Sequence, residues 1–81
     1  MSQQEILDTL ASVFVDILPE VDKSAITREA SMRDLGANSI DRADIITETM
    51  EKLGITVPMV NFGNAKNIGD VVDIMAREAK P

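Results

Sequence analysis

Ser39 is the residue whose position points most clearly to chemistry. It follows Gly36, Ala37 and Asn38, and it opens a segment whose apolar residues recur at helical spacing. The first N–H groups of a helix have no partner within the helix, and together with the helix dipole they stabilise an anion beside the N-terminus. Asn38 is a favoured capping residue, which leaves the Ser39 hydroxyl free. The pattern therefore predicts a serine available for linkage to a phosphate.

The alternative for Ser39 is that its own hydroxyl caps the helix. Serine is a common capping residue, and an isolated Asn-Ser pair at a helix start favours this alternative. Ser39 is one of five serines, the others being Ser2, Ser12, Ser24 and Ser31. The wider context of Ser39 therefore has to decide between a cap and an attachment point.

Four acidic residues of the same predicted helix fall on one of its faces. Asp41, Asp44, Glu48 and Glu51 follow one another at spacings of three and four, and we call them the acidic stripe. The residues predicted to face the core, roughly opposite, are Ala43, Ile46, Met50 and Leu53. Taken alone, an acidic stripe is usually a solvated helix face, and that alternative stays open here.

The elements that position these residues are helices. Ser2 and Glu5 form a capping-box pattern, and a first helix is predicted from about Gln3 to Leu18. Its apolar face consists of Ile6, Leu10, Val13, Phe14 and Ile17. Pro19 comes close after it, and the polar stretch 20–30 begins a long loop. The apolar anchors of that loop are Val21, Ile26, Met32 and Leu35.

Two further elements follow the helix predicted from Ser39 to Leu53, which ends at Gly54. Residues 58–63 are long enough for one short turn of helix. Asn67 is predicted to cap a last helix, whose apolar residues are Ile68, Val71, Val72, Ile74 and Met75. The predicted fold is all-α, a four-helix bundle with a long loop between helices 1 and 2 and a short third helix.

Composition limits the class of protein. A chain of 81 residues is predicted to form one domain, spanning 1–81. The 14 acidic and 8 basic residues give a net charge of −6, which disfavours nucleic acid and anionic membranes, because both require a cationic protein surface. A basic protein partner is the better match. The residues after Met1 show neither a basic stretch nor an apolar run, which predicts a cytoplasmic protein without signal peptide or transmembrane span.

Cys and His are both absent from the sequence. Without them there is no disulfide, no Cys-ligated metal site and no usual general base near neutral pH. The sequence therefore predicts no catalytic residue and no metal site, which argues against an enzyme. Any thiol chemistry has to come from an added group.

The segment from Asp34 to Asp41 resembles the Leu-Gly-x-Asp-Ser-Leu-Asp signature of acyl and peptidyl carrier proteins. The similarity extends over nearly the whole chain, including the short turn led by Pro58 and the start of the last helix at Asn67. The resemblance implies that a phosphopantetheinyl transferase attaches 4′-phosphopantetheine from coenzyme A to Ser39. Acyl groups are then held as thioesters on its thiol, by a monomeric carrier that partner enzymes act on.

The resemblance also assigns the surroundings of Ser39 to partner binding. The residues that it implies for this role are Asn38, Ile40, Asp41, Arg42, Asp44, Glu48 and Glu51. The acidic residues among them correspond to the family's docking surface for basic patches of partner enzymes. Asn38 stands where the family usually has Asp, and Ile40 where it usually has Leu. Asn38 keeps the capping ability without the charge, and Ile40 keeps an apolar side chain beside the arm.

Within this family, residues 38–45 and 51–58 resemble free-standing carriers of bacterial polyketide pathways, and among these the donor carriers of β-branching cassettes. That subfamily implies an acetyl thioester presented to a synthase resembling HMG-CoA synthase, with an acyltransferase or a ketosynthase as other partners. One alternative is a fatty-acid carrier, which Asn38, Arg42 and the moderate acidity disfavour. Another is a helical interaction module without a prosthetic group, which would gain no mass from coenzyme A and a transferase.

Overall fold

The computed structural model describes residues 2–79, whose helical elements are three α-helices and two short 3₁₀ turns. Helix α1 is Gln3–Ile17, α2 is Ser39–Leu53 and α3 is Ile68–Glu78. The first 3₁₀ turn, Lys23–Ala25, lies in the loop between α1 and α2, and the second, Met59–Phe62, lies between α2 and α3. The predicted all-α class is therefore confirmed. No helix in residues 2–79 has both the length and the apolar character needed to cross a membrane.

The predicted count of four helices is not confirmed, because the third element is a 3₁₀ turn of four residues. Its backbone hydrogen bonds span three residues: the Asn61 N–H donates to the Pro58 carbonyl at 2.9 Å, and the Gly63 N–H donates to the Val60 carbonyl at 3.2 Å. So short a segment between a proline and a glycine has room for the tighter bonds of a 3₁₀ turn but not for a run of α-type bonds.

The core draws on all three helices. The predicted apolar face of α1 is confirmed, with Ile6, Leu10, Val13 and Phe14 buried and Ile17 half-buried. The predicted face of α3 is confirmed as well, with Ile68, Val71, Val72, Ile74 and Met75 all buried. These faces bury their side chains because the apolar positions recur at the helical period.

The predicted core face of α2 is partly wrong. The buried residues of α2 are Ile45, Ile46, Thr49 and Met50, and Leu53 is half-buried. Ala43, predicted to face the core, is exposed. Thr49 is fully buried. Burial of its hydroxyl is tolerated because Oγ1 donates a hydrogen bond of 2.7 Å to the Ile45 carbonyl. The buried face of α2 is thus rotated away from Ala43 and toward Thr49, whose polar side chain the sequence pattern did not assign to the core.

The loop between α1 and α2 is tied to the core and to α3. Ile26 and Met32 are buried, as expected of apolar anchors. The carbonyls of Arg28 and Ala30 accept hydrogen bonds from the first backbone N–H groups of α3. Arg28 Nη2 also lies 2.9 Å from both carboxylate oxygens of Asp73. Through these contacts the loop holds the beginning of α3 in place.

Candidate attachment site at the start of α2

A tight turn before α2 determines where the helix begins. Gly36 has a φ of 102°, in the left-handed region that side chains rarely adopt. Its N–H donates to the Arg33 carbonyl, and the Ala37 N–H donates to the Met32 carbonyl, both at 3.0 Å. Met32 and Ala37 are buried. The turn is therefore anchored in the core on both sides of Gly36. The chain then returns to the surface, where Asn38 and Ser39 begin the helix.

Asn38 caps α2, as predicted. Its Oδ1 accepts a hydrogen bond of 2.8 Å from the Asp41 N–H, and Asp41 Oδ2 accepts one of 3.4 Å from the Asn38 N–H. This reciprocal pair is a capping box. Asp41, predicted to belong to the acidic stripe, is half-buried and serves the helix start.

Ser39 is the first residue of α2 and is exposed. Because Asn38 is the cap, the alternative in which Ser39 caps the helix is wrong. Ser39 Oγ forms no hydrogen bond within residues 2–79, and the N–H groups of Ser39 and Ile40 donate none in the same range. A phosphate on this hydroxyl would therefore meet two unpaired donors and the positive end of the helix dipole. The residues present fit a phosphate-linked group.

The acidic stripe keeps three fully available carboxylates. Asp44, Glu48 and Glu51 are exposed. Within the described part of the chain the salt bridges are Arg28–Asp73 and Arg77–Glu78, so none of the three is paired there. Unpaired charges at one face produce a field that attracts a cationic surface. Residues 2–79 hold no group of three or more metal-ligating side chains that could bind a metal ion.

Arg42, predicted to bind partners, is half-buried. Its Nη1 donates a hydrogen bond of 2.9 Å to the Ala37 carbonyl, so the side chain braces the turn before α2. A cavity of about 500 Å³ opens beside it, with an apolar floor and a mixed rim. The residues that line the cavity include Met32, Ile46, Phe62 and Val71, together with Arg33 and Lys66. Sequence reasoning missed this cavity, because its walls come from segments far apart in the chain.

A comparison with protein families decides what kind of protein presents this serine. The family model described as "Phosphopantetheine attachment site" matches residues 8–75. The chain belongs to this family of carrier proteins. The resemblance seen in the sequence is thereby confirmed. As a member of the family, the carrier holds its cargo on a covalent 4′-phosphopantetheine group and is not itself a catalyst, since partner enzymes act on it.

The chain is also similar to individual acyl carrier proteins and to a solved structure. The carrier is 35% identical to the polyketide biosynthesis acyl-carrier-protein AcpK of Bacillus subtilis, over 93% of this chain and 92% of that protein. It is 33% identical to the acyl carrier protein of Thermosynechococcus vestitus, over 93% of each. Among solved structures it is similar to a chain in the crystal structure of the curacin biosynthetic pathway HMG synthase in complex with acetyl donor-ACP. The TM-score is 0.87 at 33% identity, covering 96% of this chain and 100% of that chain.

Proposed function

We propose that Ser39 is the attachment residue for phosphopantetheine and that this carrier is the acetyl donor in polyketide β-branching. The observation that supports the attachment is the exposed Ser39 hydroxyl, which no neighbouring residue engages because Asn38 already caps α2. A phosphopantetheinyl transferase is the partner that loads Ser39. The thiol of the group, once attached, supplies the atom that holds the acetyl thioester.

The donor role is supported by the similarity to a chain crystallised with an HMG synthase as acetyl donor-ACP. The similarity to a polyketide biosynthesis carrier points to the same kind of pathway. In this role the chain's own residues do two things. Ser39 tethers the acetyl group at the start of α2, and the exposed carboxylates of Asp44 and Glu48 steer the carrier toward a cationic surface on the synthase.

Intact mass spectrometry tests the attachment. We expect the wild-type protein to gain the mass of one phosphopantetheine group after incubation with coenzyme A and a transferase. Ser39→Ala should gain none while its circular dichroism stays unchanged, because the hydroxyl makes no hydrogen bond within residues 2–79. Ser31→Ala is the matched control and should be modified like the wild type. Modification of Ser39→Ala would show that another residue carries the group.

Acetyl transfer tests the donor role. The carrier is loaded with acetyl-phosphopantetheine, mixed with an HMG synthase of the curacin type, and the acetylation of the synthase is followed by mass spectrometry against a fatty-acid carrier. We expect faster transfer from this carrier, because specificity between carriers is a difference of affinities. Transfer at the rate of the control would favour a general fatty-acid role and leave the attachment at Ser39 intact.

A further inference from the structure

Arg42 is the cationic residue closest to Ser39 along the chain. It follows Ser39 by three residues on α2, a spacing at which two side chains are neighbours on the helix surface. Side chains of a helix lean toward its N-terminus. Arg42 does so, because its Nη1 donates a hydrogen bond of 2.9 Å to the carbonyl of Ala37, which precedes Ser39 by two residues. The guanidinium is therefore held at the end of α2 where Ser39 is exposed.

Most of the hydrogen-bonding capacity of Arg42 is unused. The bond to Ala37 engages one of its several N–H donors, and Arg42 forms no salt bridge within residues 2–79. In the same range no buried side-chain nitrogen or oxygen lacks a hydrogen-bond partner, so the remaining nitrogens of the half-buried Arg42 are in contact with solvent. They are accessible to an anion, and the planar fork of a guanidinium matches the oxygens of a phosphate.

The charges around Ser39 leave a role for such a cation. Asn38 brings no charge beside Ser39, whereas Asp41 brings a carboxylate, which accepts a hydrogen bond from the Asn38 N–H. A phosphodiester on Ser39 would add a second negative charge at this end of the helix. Two like charges at this separation repel each other. A cation at the same end of α2 offsets that repulsion, and Arg42 is in position to do so.

Arg33 provides a comparison within the same chain. Arg33 and Arg42 both line the cavity of about 500 Å³ beside the start of α2. The Arg33 side chain is exposed and has no hydrogen bond or salt bridge within residues 2–79. Such a side chain loses conformational freedom when it pairs with another group. The Arg42 guanidinium is already oriented by the Ala37 carbonyl, so pairing costs it less conformational entropy.

We infer that the Arg42 guanidinium pairs with the phosphate of the phosphopantetheine group once that group is attached to Ser39, while Nη1 keeps its bond to the Ala37 carbonyl. The inference rests on the proposed attachment at Ser39. Arg42 is then a positioning residue, because it ties the phosphate to the turn before α2 and restricts the first bonds of the arm. The N–H groups of Ser39 and Ile40, which have no acceptor within residues 2–79, are further donors for the same phosphate.

Phosphorus-31 NMR of the loaded protein tests the pairing. Wild type, Arg42→Gln and Arg33→Gln are loaded from coenzyme A by a transferase, and intact mass and circular dichroism verify loading and fold. We expect the phosphorus resonance of Arg42→Gln to be displaced and narrower than that of wild type, because its phosphate has lost a charged partner and moves more freely. Arg33→Gln is the matched control and should give the wild-type resonance. Arg42→Lys should lie between them, since lysine keeps the charge but not the fork.

Thermal unfolding of the unloaded and the loaded forms provides a second measurement. The comparison of the two forms removes the effect of the Arg42 bond to Ala37, which is present in wild type whether or not the group is attached. We expect loading to raise the Tm of wild type by roughly 2–4 °C more than that of Arg42→Gln, the size expected of a partly exposed ion pair in a small domain. The difference should shrink at high salt. Arg33→Gln should show the wild-type rise.

The outcomes separate the pairing from the attachment. A wild-type phosphorus resonance in loaded Arg42→Gln, or an equal change in Tm on loading, would show that Arg42 only braces the turn. Equal displacements in Arg42→Gln and Arg33→Gln would also overturn the inference, because they would show a general effect of positive charge near Ser39. These results leave the attachment intact, since they are measured on protein that has gained the group. Loading of Ser39→Ala would instead contradict the attachment, and the pairing with it.

Discussion

Helices α2 and α3 begin with the same local arrangement in different surroundings. Each starts after an asparagine whose Oδ1 accepts a hydrogen bond of 2.8 Å from the N–H of an aspartate three residues later, Asp41 after Asn38 and Asp70 after Asn67. Each aspartate carboxylate in turn accepts a backbone N–H near the helix start. From the local sequence alone, the two starts are equivalent.

The loop between α1 and α2 makes them different. At α3, the Ile68 N–H donates to the Ala30 carbonyl at 2.9 Å and the Gly69 N–H to the Arg28 carbonyl at 2.7 Å. At α2, the corresponding N–H groups of Ser39 and Ile40 have no acceptor within residues 2–79. A capping sequence thus determines where a helix begins, while the loop packed against it determines whether its free donors remain available. The first N–H groups of α3 are therefore taken up by the loop, whereas those of α2 remain free to bind a group attached to Ser39.

The largest expected effect on stability comes from the second position of α3, Gly69. A Cβ at Gly69 would lie 2.9 Å from the Arg28 carbonyl oxygen, so the loop has to shift. We expect Gly69→Ala to lower the free energy of unfolding by about 1–3 kcal/mol, despite the better helix propensity of alanine. Thermal unfolding followed by circular dichroism measures the loss, at about 4–8 °C per kcal/mol for a domain of this size.

The matched change at α2 is Ile40→Ala. Because 71% of Ile40 is exposed, we expect this variant to stay within about 0.5 kcal/mol of the wild type. Equal losses at the two positions would break the comparison, since they would show that the start of α2 is packed as tightly as that of α3.

The caps Asn38 and Asn67 should contribute similarly to the free energy of unfolding. We expect Asn38→Ala and Asn67→Ala each to reduce the free energy of unfolding by about 1 kcal/mol, because each removes one side-chain bond to an orphan N–H group. Urea denaturation of both variants measures the losses. A loss confined to Asn67→Ala would mean that the Asn38 cap adds nothing to α2, and the Ser39 hydroxyl would then have to be reconsidered as a replacement cap.

Charge at the start of α2 gives a smaller effect. Asn38→Asp keeps the cap and adds a negative charge beside the positive end of the helix dipole. We therefore expect the free energy of unfolding of the unmodified protein to rise by about 0.3–1 kcal/mol. The gain should shrink after Ser39 is modified, because the added carboxylate then lies next to a phosphate. Denaturation of both forms measures this. The same gain in both forms would place the phosphate away from the helix start.

The smallest effect concerns a cap that titrates. The backbone N–H and then the hydroxyl of Ser24 donate to the Asp22 carboxylate and hold its pKa below the ordinary value. Because the pKa of Asp22 is lower in the folded state than in the unfolded state, its ionised carboxylate stabilises the protein at pH values above the unfolded-state pKa. This contribution is lost as the pH falls through the folded-state pKa. We expect Asp22→Asn to show a slightly shallower loss of thermal stability in acid than the wild type. Identical acid profiles would show that the Asp22 cap is not coupled to folding.

The sequence predicted the elements whose signals are local. The bounds of α2, with Asn38 as cap and Gly54 as end, are as predicted, because capping side chains and a left-handed glycine at φ 68° act within one turn of helix. The short third helix was not confirmed as an α-helix, because a proline and a glycine show that a turn exists but not which hydrogen-bond spacing it adopts. Ala43 was misplaced because helical periodicity alone leaves the rotation of the buried face uncertain by one residue.

For this protein, the sequence by itself determined the family, the position of Ser39 directly after a capping residue and the bounds of the helix that begins there. These follow from a short signature and from interactions between residues at most four apart. Only the tertiary structure decided that the loop covers the first N–H groups of α3 but not those of α2, and that Met59 lies against Thr47 of α2. Both depend on contacts between segments far apart in the chain, Arg28 with Gly69 and Thr47 with Met59. Such contacts form where the packing of the whole chain brings surfaces together, and no local pattern encodes them.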